Sequence, residues 1–349
     1  DTFSIKPSHV HVNSHHWLNT AGAIAWNMGE FARSATMLAE SVARFRVLGD
    51  RRSLGQALLN LALTLLYQGD AEAAHAVMTE GVSVVETVDD PWLLGMVHFG
   101  LGEMLATDDP DAAHAAYERS LAVHRAINEP WGMAHAIHGL GGLAMRQRDY
   151  GTARALMEEA LALRRSVNEP GAIATSLTSL GELSRRAGDD AGAVQYLEEG
   201  LGRFRELGAA EQVAWTLYNL GMVAVQRGDA DGAATALAEC LALRAEQGNA
   251  GEIAKTIAGA ARVAVLRGEA ERAARLWGAV EGIRTIHGVV APTDEDGEEE
   301  QRMVALIRAA LGATTASGAF ATGRALTLPE AIRLARETMS AGPDDRSRR

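Results

Sequence analysis

The chain has 349 residues, 47% of them hydrophobic but only 5% aromatic, and sets 33 Lys and Arg against 45 Asp and Glu for a net charge of −12. That balance opposes unaided binding to nucleic acid, whose affinity comes largely from cations neutralising phosphates. No stretch approaches the roughly 18 apolar residues of a membrane span, and a single cysteine, Cys240, excludes an intrachain disulfide and the C-x-x-C spacing of zinc or redox sites. A reducing, cytoplasmic setting with neither a membrane nor a nucleic-acid partner is the expectation.

Residues 1–13 are expected to be a lead-in from an upstream domain. A self-similarity of about 40 residues then runs from 14 to 285. The acidic turn residues Glu30, Asp70, Asp109, Asp149, Asp189, Asp229 and Glu269 recur at that step, as do the small residues Gly22, Ala62, Gly102, Gly141, Gly181, Gly221 and Ala261. Such a period marks an α-solenoid, in which no unit buries its apolar face alone and neighbouring units supply the core. The high content of Ala, Leu, Arg and Glu favours helices.

The fourth unit shows how one repeat specifies two helices. Glu129-Pro130 precedes a helix carrying Ala136, Ile137, Leu140, Gly141 and Ala144 at helical spacing. Residues 146–151 break the pattern, and Ala153, Leu156, Met157, Ala160, Leu161 and Leu163 form the stripe of a second helix. Small residues at 141, 153 and 160 permit close approach, with Leu140 and Met157 filling the space between. In the third unit, Gly102 to Asp109 is one residue short, which predicts a local irregularity. Beyond the seventh unit, residues 286–339 are expected to form a capping region with helices over Glu298–Leu311 and Leu328–Thr338, the latter with Thr327 as N-cap and Pro329 in its first turn. The acidic run 294–300 lacks the alternating ligand spacing of a calcium loop and is expected to be a solvated loop entering an acid-rich first turn. Residues 340–349 have the composition of a disordered tail or linker.

No phosphate loop, nucleophile elbow or zinc helix is present, so neither a catalytic residue nor a cofactor is expected. The pairs His9/His11, His15/His16 and His135/His138 gain no carboxylate or cysteine at ligand spacing, and no metal is assigned to them. Hairpin geometry suggests a different surface. The first helices of successive units line one side of the array and present residues six and three before the recurring glycine and one, four and five after it. These positions hold His135, His138 and Arg146, then Thr175, Thr178, Glu182 and Arg185, then Trp215, Tyr218, Met222 and Gln226. Earlier units add His16, Asn19, Trp26, Gln56, Tyr67, Phe99 and Glu103. Trp, Tyr and Arg are enriched among residues that carry binding energy, so a protein or peptide partner, or a small effector, is expected in this groove. Glu182 and Arg185 lie one turn apart and could pair with each other.

The string Leu-Gly, then Gly-Asp, then Ala-x3-Leu, as in Leu220-Gly221, Gly228-Asp229 and Ala233 with Leu237, resembles the tetratricopeptide repeat (TPR) over residues 14–285. Ala62 and Ala261 stand where that pattern has Gly, and Met or Leu replaces the second-helix Phe. The resemblance implies a right-handed α-solenoid of about seven TPR-like hairpins. The segment 273–336, with Leu276-Trp277-Gly278-Ala279 and Thr327-Leu328-Pro329-Glu330-Ala331, resembles the end of the repeat region in large actinobacterial transcriptional regulators. These join a signalling ATPase of the NB-ARC or STAND type to such repeats, often with a LuxR-type or related DNA-binding domain. That likeness implies a non-catalytic sensor region acting on an upstream ATPase domain of the same polypeptide. The alternative is a free-standing scaffold or adaptor for a peptide or protein.

Overall fold

The computed structural model describes residues 17–26, 30–289, 291 and 295–340. Among these every regular element is a helix. The paired helices are α1 (17–26) with α2 (Phe31–Leu48), α3 (Arg51–Tyr67) with α4 (Ala71–Val85), α5 (Pro91–Leu105) with α6 (Pro110–Ala126), and α7 (Pro130–Arg146) with α8 (Tyr150–Ser166). There follow α9 (Pro170–Arg186) with α10 (Asp190–Leu207), α11 (Ala210–Gln226) with α12 (Ala230–Gln247), and α13 (Ala250–Leu266) with α14 (Ala270–His287). Three more helices close the described chain: α15 (Glu295–Leu311), α16 (Ala313–Arg324) and α17 (Leu328–Ser340). The chain forms two compact units, residues 1–168 and 169–349. No helix among the described residues is long and apolar enough to cross a membrane.

The recurring acids prove to be helix caps. The carboxylates of Asp70, Asp109, Asp149, Asp189 and Asp229 each accept from the backbone N–H three residues on, at 2.9–3.1 Å, satisfying a donor that the first turn leaves open. Glu30 and Glu269 occupy the same place with one more methylene and make no such bond; they pair instead with Arg33 at 2.9 Å and Arg272 at 3.0 Å. The turn residue just before most of these caps has a positive φ: Gly69, Gly188, Gly228 and Gly268, with Arg148 in the fourth hairpin. The third hairpin has no left-handed residue there, and its first helix, α5, is 15 residues long where α3 and α7 have 17. This is the irregularity that the missing residue predicts.

Each recurring glycine lies against a large side chain of its hairpin partner. A Cβ on Gly181 would sit 2.5 Å from Leu197 Cγ, and one on Gly221 would sit 2.6 Å from Leu237 Cγ. Leu140, Ala153, Met157 and Ala160 are buried between α7 and α8, as their spacing predicts.

The C-terminal region holds three helices rather than the two expected. The sequence of α16, rich in Ala, Gly and Thr, has little hydrophobic periodicity because it packs by backbone proximity. A Cβ on Gly323 would lie 2.0 Å from the Arg275 carbonyl oxygen, and one on Gly278 would lie 2.1 Å from that of Phe320. Thr327 enters α17 through a capping box: its N–H and its hydroxyl both donate to Glu330 Oε2, at 2.8 and 2.6 Å. From Glu295 onward the acidic run is helix rather than the expected solvated loop, because α15 begins there instead of at Glu298. Glu300 takes a two-pronged bond from Arg284 at 2.7 and 2.8 Å, and Glu299 lies 3.5 Å from Arg262, so the acids latch α15 onto α13 and α14. The tail 341–349, the lead-in 1–13 and His9, His11, His15 and His16 lie outside the described residues.

Candidate functional site

The first helices carry the candidate surface, and the two units furnish it differently. In unit 1, Pro91-Trp92 and Pro130-Trp131 open α5 and α7 in the same way, with proline at a position whose N–H needs no partner. Their indoles stack with centroids 6.4 Å apart. Trp131 lies 4.2 Å from the His135 ring, which meets Phe99 edge-on at 5.4 Å, and Phe99 leans on Tyr117 at 6.0 Å. Trp92, Phe99, Trp131 and His135 are all half-buried, so the ring ladder keeps one side open. At its end the Tyr117 hydroxyl donates to Glu103 Oε1 at 2.5 Å. Glu103 is solvent-exposed, yet surrounding protein raises its carboxyl above the ordinary range by desolvation. The acidic neighbour and burial together push the Tyr117 hydroxyl well up.

His135 and His138, one turn apart on α7, are both half-buried. Burial, reinforced by the Arg164 charge, holds each imidazole neutral down to about 3. Their neutrality suits packing and hydrogen bonding rather than ionic recognition. Arg146, at the exposed end of α7, places a positive charge that opposes the upward shifts of Glu103 and Tyr117. Among the described residues no group of three or more His, Cys, Asp or Glu could hold a metal ion.

In unit 2 the predicted residues divide into two sets. Trp215 is half-buried and Gln226 is exposed, whereas Tyr218 is buried in the core, its ring between the Arg244 guanidinium at 5.1 Å and Lys255 Nζ at 5.0 Å. Thr178 and Met222, like Tyr218, do not belong to an accessible surface. Thr178 is fully buried, with its Oγ1 3.1 Å from Thr216 Oγ1 and held against Gly200, while Met222 is core. The expected Glu182–Arg185 pair does not form either. Glu182 accepts from Arg186 at 3.1 and 3.2 Å, because the four-residue step reaches across one turn better here than the three-residue step. Arg185 is left buried without that partner.

Arg244, Trp92 and Trp131 lie outside the positions expected to face the groove, and Lys255 holds one of those positions, six residues before Ala261, in the seventh hairpin, which carries no expected site residue. Arg244 stands on the apolar stripe of α12 after Leu237, Cys240 and Leu241, where a cation signals a buried bond network. It donates to the Glu252 carbonyl at 3.1 Å and to Thr256 Oγ1 at 2.7 Å, and pairs with the Glu252 carboxylate. Cys240, its thiol raised by burial, lies beside Thr256. The Pro-Trp step repeated 39 residues apart was the available signal for the stacked indoles.

Residues 132–206 and 213–246 match family models described as tetratricopeptide repeat. No curated protein matches the chain significantly. Among solved structures it is similar to Rap protein complexed with competence and sporulation factor, with TM-score 0.65 and 14% identity over 78% of this chain and 75% of that one. It is similar to aspartyl phosphate phosphatase F from Bacillus subtilis, with TM-score 0.62 and 11% identity over 81% and 73%. It also resembles the STAND protein with a tetratricopeptide repeat sensor from Pyrococcus horikoshii, with TM-score 0.61 and 12% identity; 86% of this chain aligns with 45% of that one, so the match spans under half of its length. At these identities the likeness is one of fold. The hairpins, their caps and both repeat matches agree: the chain is an all-α solenoid of tetratricopeptide-like repeats.

Proposed function

We propose that this chain is the non-catalytic sensor and interaction region of a larger cytoplasmic transcriptional regulator, in which a protein, peptide or small effector docks on the first helices and biases an upstream ATPase domain. The observation that carries this reading is the half-open ring ladder of Trp92, Trp131, His135 and Phe99 on α5 and α7. Large aromatic groups left partly in water at successive repeats are costly for a merely structural face and suit a docking surface. The fold likeness to a STAND protein with a tetratricopeptide repeat sensor supports the multidomain setting. Binding shifts a population when the ligand favours one arrangement of neighbouring hairpins, and small rotations between hairpins offer such arrangements.

Selection of peptides from a random display library against the whole chain tests the surface. Binders are expected to weaken about tenfold or more with Trp131→Ala or Trp215→Ala, since interface aromatics commonly carry over 1.4 kcal/mol, and to ignore Arg203→Ala in the exposed Glu199–Arg203 pair of α10. Binders indifferent to both tryptophans would overturn the assignment. In the native full-length polypeptide, a selected peptide is expected to change the rate of ATP hydrolysis. An unchanged rate at saturation would favour a free-standing scaffold.

A further inference from the structure

The position four residues after the recurring small residue is apolar in six hairpins: Trp26, Leu66, Ala106, Met145, Val225 and Val265. In the fifth hairpin it is Arg185. A cation at an apolar position breaks the local rule, and such departures gather at functional sites. Arg185 is only 6% exposed, its Nε–H is buried without an acceptor, and no carboxylate among the described residues lies in ion-pair range of it. The nearest candidate, Glu182, is taken by Arg186. A guanidinium buried without counter-charge is costly, and an arriving anion recovers that cost.

A second cation of the same unit is in a similar state. Lys255 on α13 rests over the Tyr218 ring, and the carboxylate one turn before it, Glu252, is engaged by Arg244. Among the described residues Lys255 has no carboxylate partner. Lys255 and Trp215 hold the same position in adjacent hairpins, six residues before Ala261 and Gly221. On a chain with a net charge of −12, the first helices of unit 2 thus offer two uncompensated cations with an indole between them in the array.

We propose that this face of unit 2 takes an acidic peptide segment, with one carboxylate on Arg185, a second on Lys255 and an apolar side chain over Trp215. The proposal rests on the partner-binding reading above and adds the chemistry of the partner. From α9 to α13 are two helix spacings of about 10 Å each, and Arg185 stands ten register positions beyond Lys255 along the helices, about 15 Å at about 1.5 Å per residue, so about 25 Å separate the cations, which about eight extended residues span at about 3.3 Å apiece. The cations set orientation and encounter rate, and the ring supplies buried apolar area.

Fluorescein-labelled octaglutamate and octalysine, titrated against the whole chain by anisotropy, test the assignment. Octaglutamate is expected to bind saturably and more weakly as salt rises, and octalysine not to bind despite the opposite net charge of the protein. Arg185→Met and Lys255→Met are each expected to weaken octaglutamate about tenfold or more. Arg185→Met, which installs the residue found at Met145, is also expected to raise the melting temperature. Equal binding of the two peptides, or an unchanged affinity in a folded Arg185→Met variant, overturns the proposal, as does a lowered melting temperature in that variant. Inorganic phosphate serves as competitor; if it occupies the Arg185-dependent site while octaglutamate does not, the occupant is a phosphate and the peptide assignment falls. Display-selected neutral peptides that still need Trp215 would leave the binding face standing and remove only its preference for acids.

Discussion

One position of the repeat, near the end of each second helix, is filled by neutral groups in most of unit 1 and by charged ones in most of unit 2. Unit 1 has Phe45, Val85, His124 and Arg164; unit 2 has Phe204, Arg244 and Arg284. His124 is fully buried in a slot where Gly95 of α5 and Gly132 of α7 both approach its ring, and neither ring nitrogen has a hydrogen-bond partner. Glu129, 3.7 Å from Nδ1, is the carboxylate beside it among the described residues. Arg244, equally buried, spends its donors on Thr256, the Glu252 carbonyl and the Glu252 carboxylate. The same architecture therefore tolerates a buried polar group either by keeping it uncharged or by saturating it with partners, and the two solutions respond to different stresses.

Acid should separate the units most strongly. Burial lowers the pKa of His98, where the Arg119 charge adds and Glu86 opposes, and of His124, where Glu129 opposes; His135 and His138 are lowered to about 3. Because the unfolded chain binds these protons first, the stability they contribute is intact above pH 6.5 and is lost as pH falls below it, at up to about 1.4 kcal/mol per pH unit for each histidine kept neutral. Hydrogen exchange at falling pH is expected to open α5–α7 before α11–α13. His124→Phe, which copies Phe45 and Phe204, should blunt that difference. Next in size, Arg244→Met should cost unit 2 about 2–4 kcal/mol by stranding Thr256 and Glu252, with exchange in unit 1 unchanged. Gly221→Ala should cost about 1–3 kcal/mol in melting experiments, since Leu237 must move to admit the methyl. The smallest effect is a gain: Glu269→Asp restores the cap its neighbours have and should stabilise unit 2 by about 0.5–1 kcal/mol.

The hairpins were legible because their signals are local and repeated. An acid at the cap, a glycine against a large side chain and an apolar stripe are each visible at a fixed step in the sequence. The missing residue between Gly102 and Asp109 announced the shortened α5 for the same reason. Helix α16 was hidden because its small residues answer to the backbone of α14, a tertiary partner that periodicity does not record. The site was legible as a set of positions, which found His135, Trp215 and Tyr218 on the first helices, but position alone did not fix depth. Thr178 shares the register of the half-buried Phe99 and His138, and Met222 that of the exposed Glu103, yet neighbouring helices cover both. Side-chain choice within a register also escaped: Glu182 had two arginines within reach, and packing decided for Arg186.

The most direct test of the account is hydrogen exchange of the whole chain with and without a display-selected peptide at saturation. Docking on the first helices predicts new protection confined to those of one unit, α5 and α7 around Trp131 or α9, α11 and α13 around Trp215. Protection concentrated instead on α6, α8, α10 and α12, with the first helices unchanged, would contradict it.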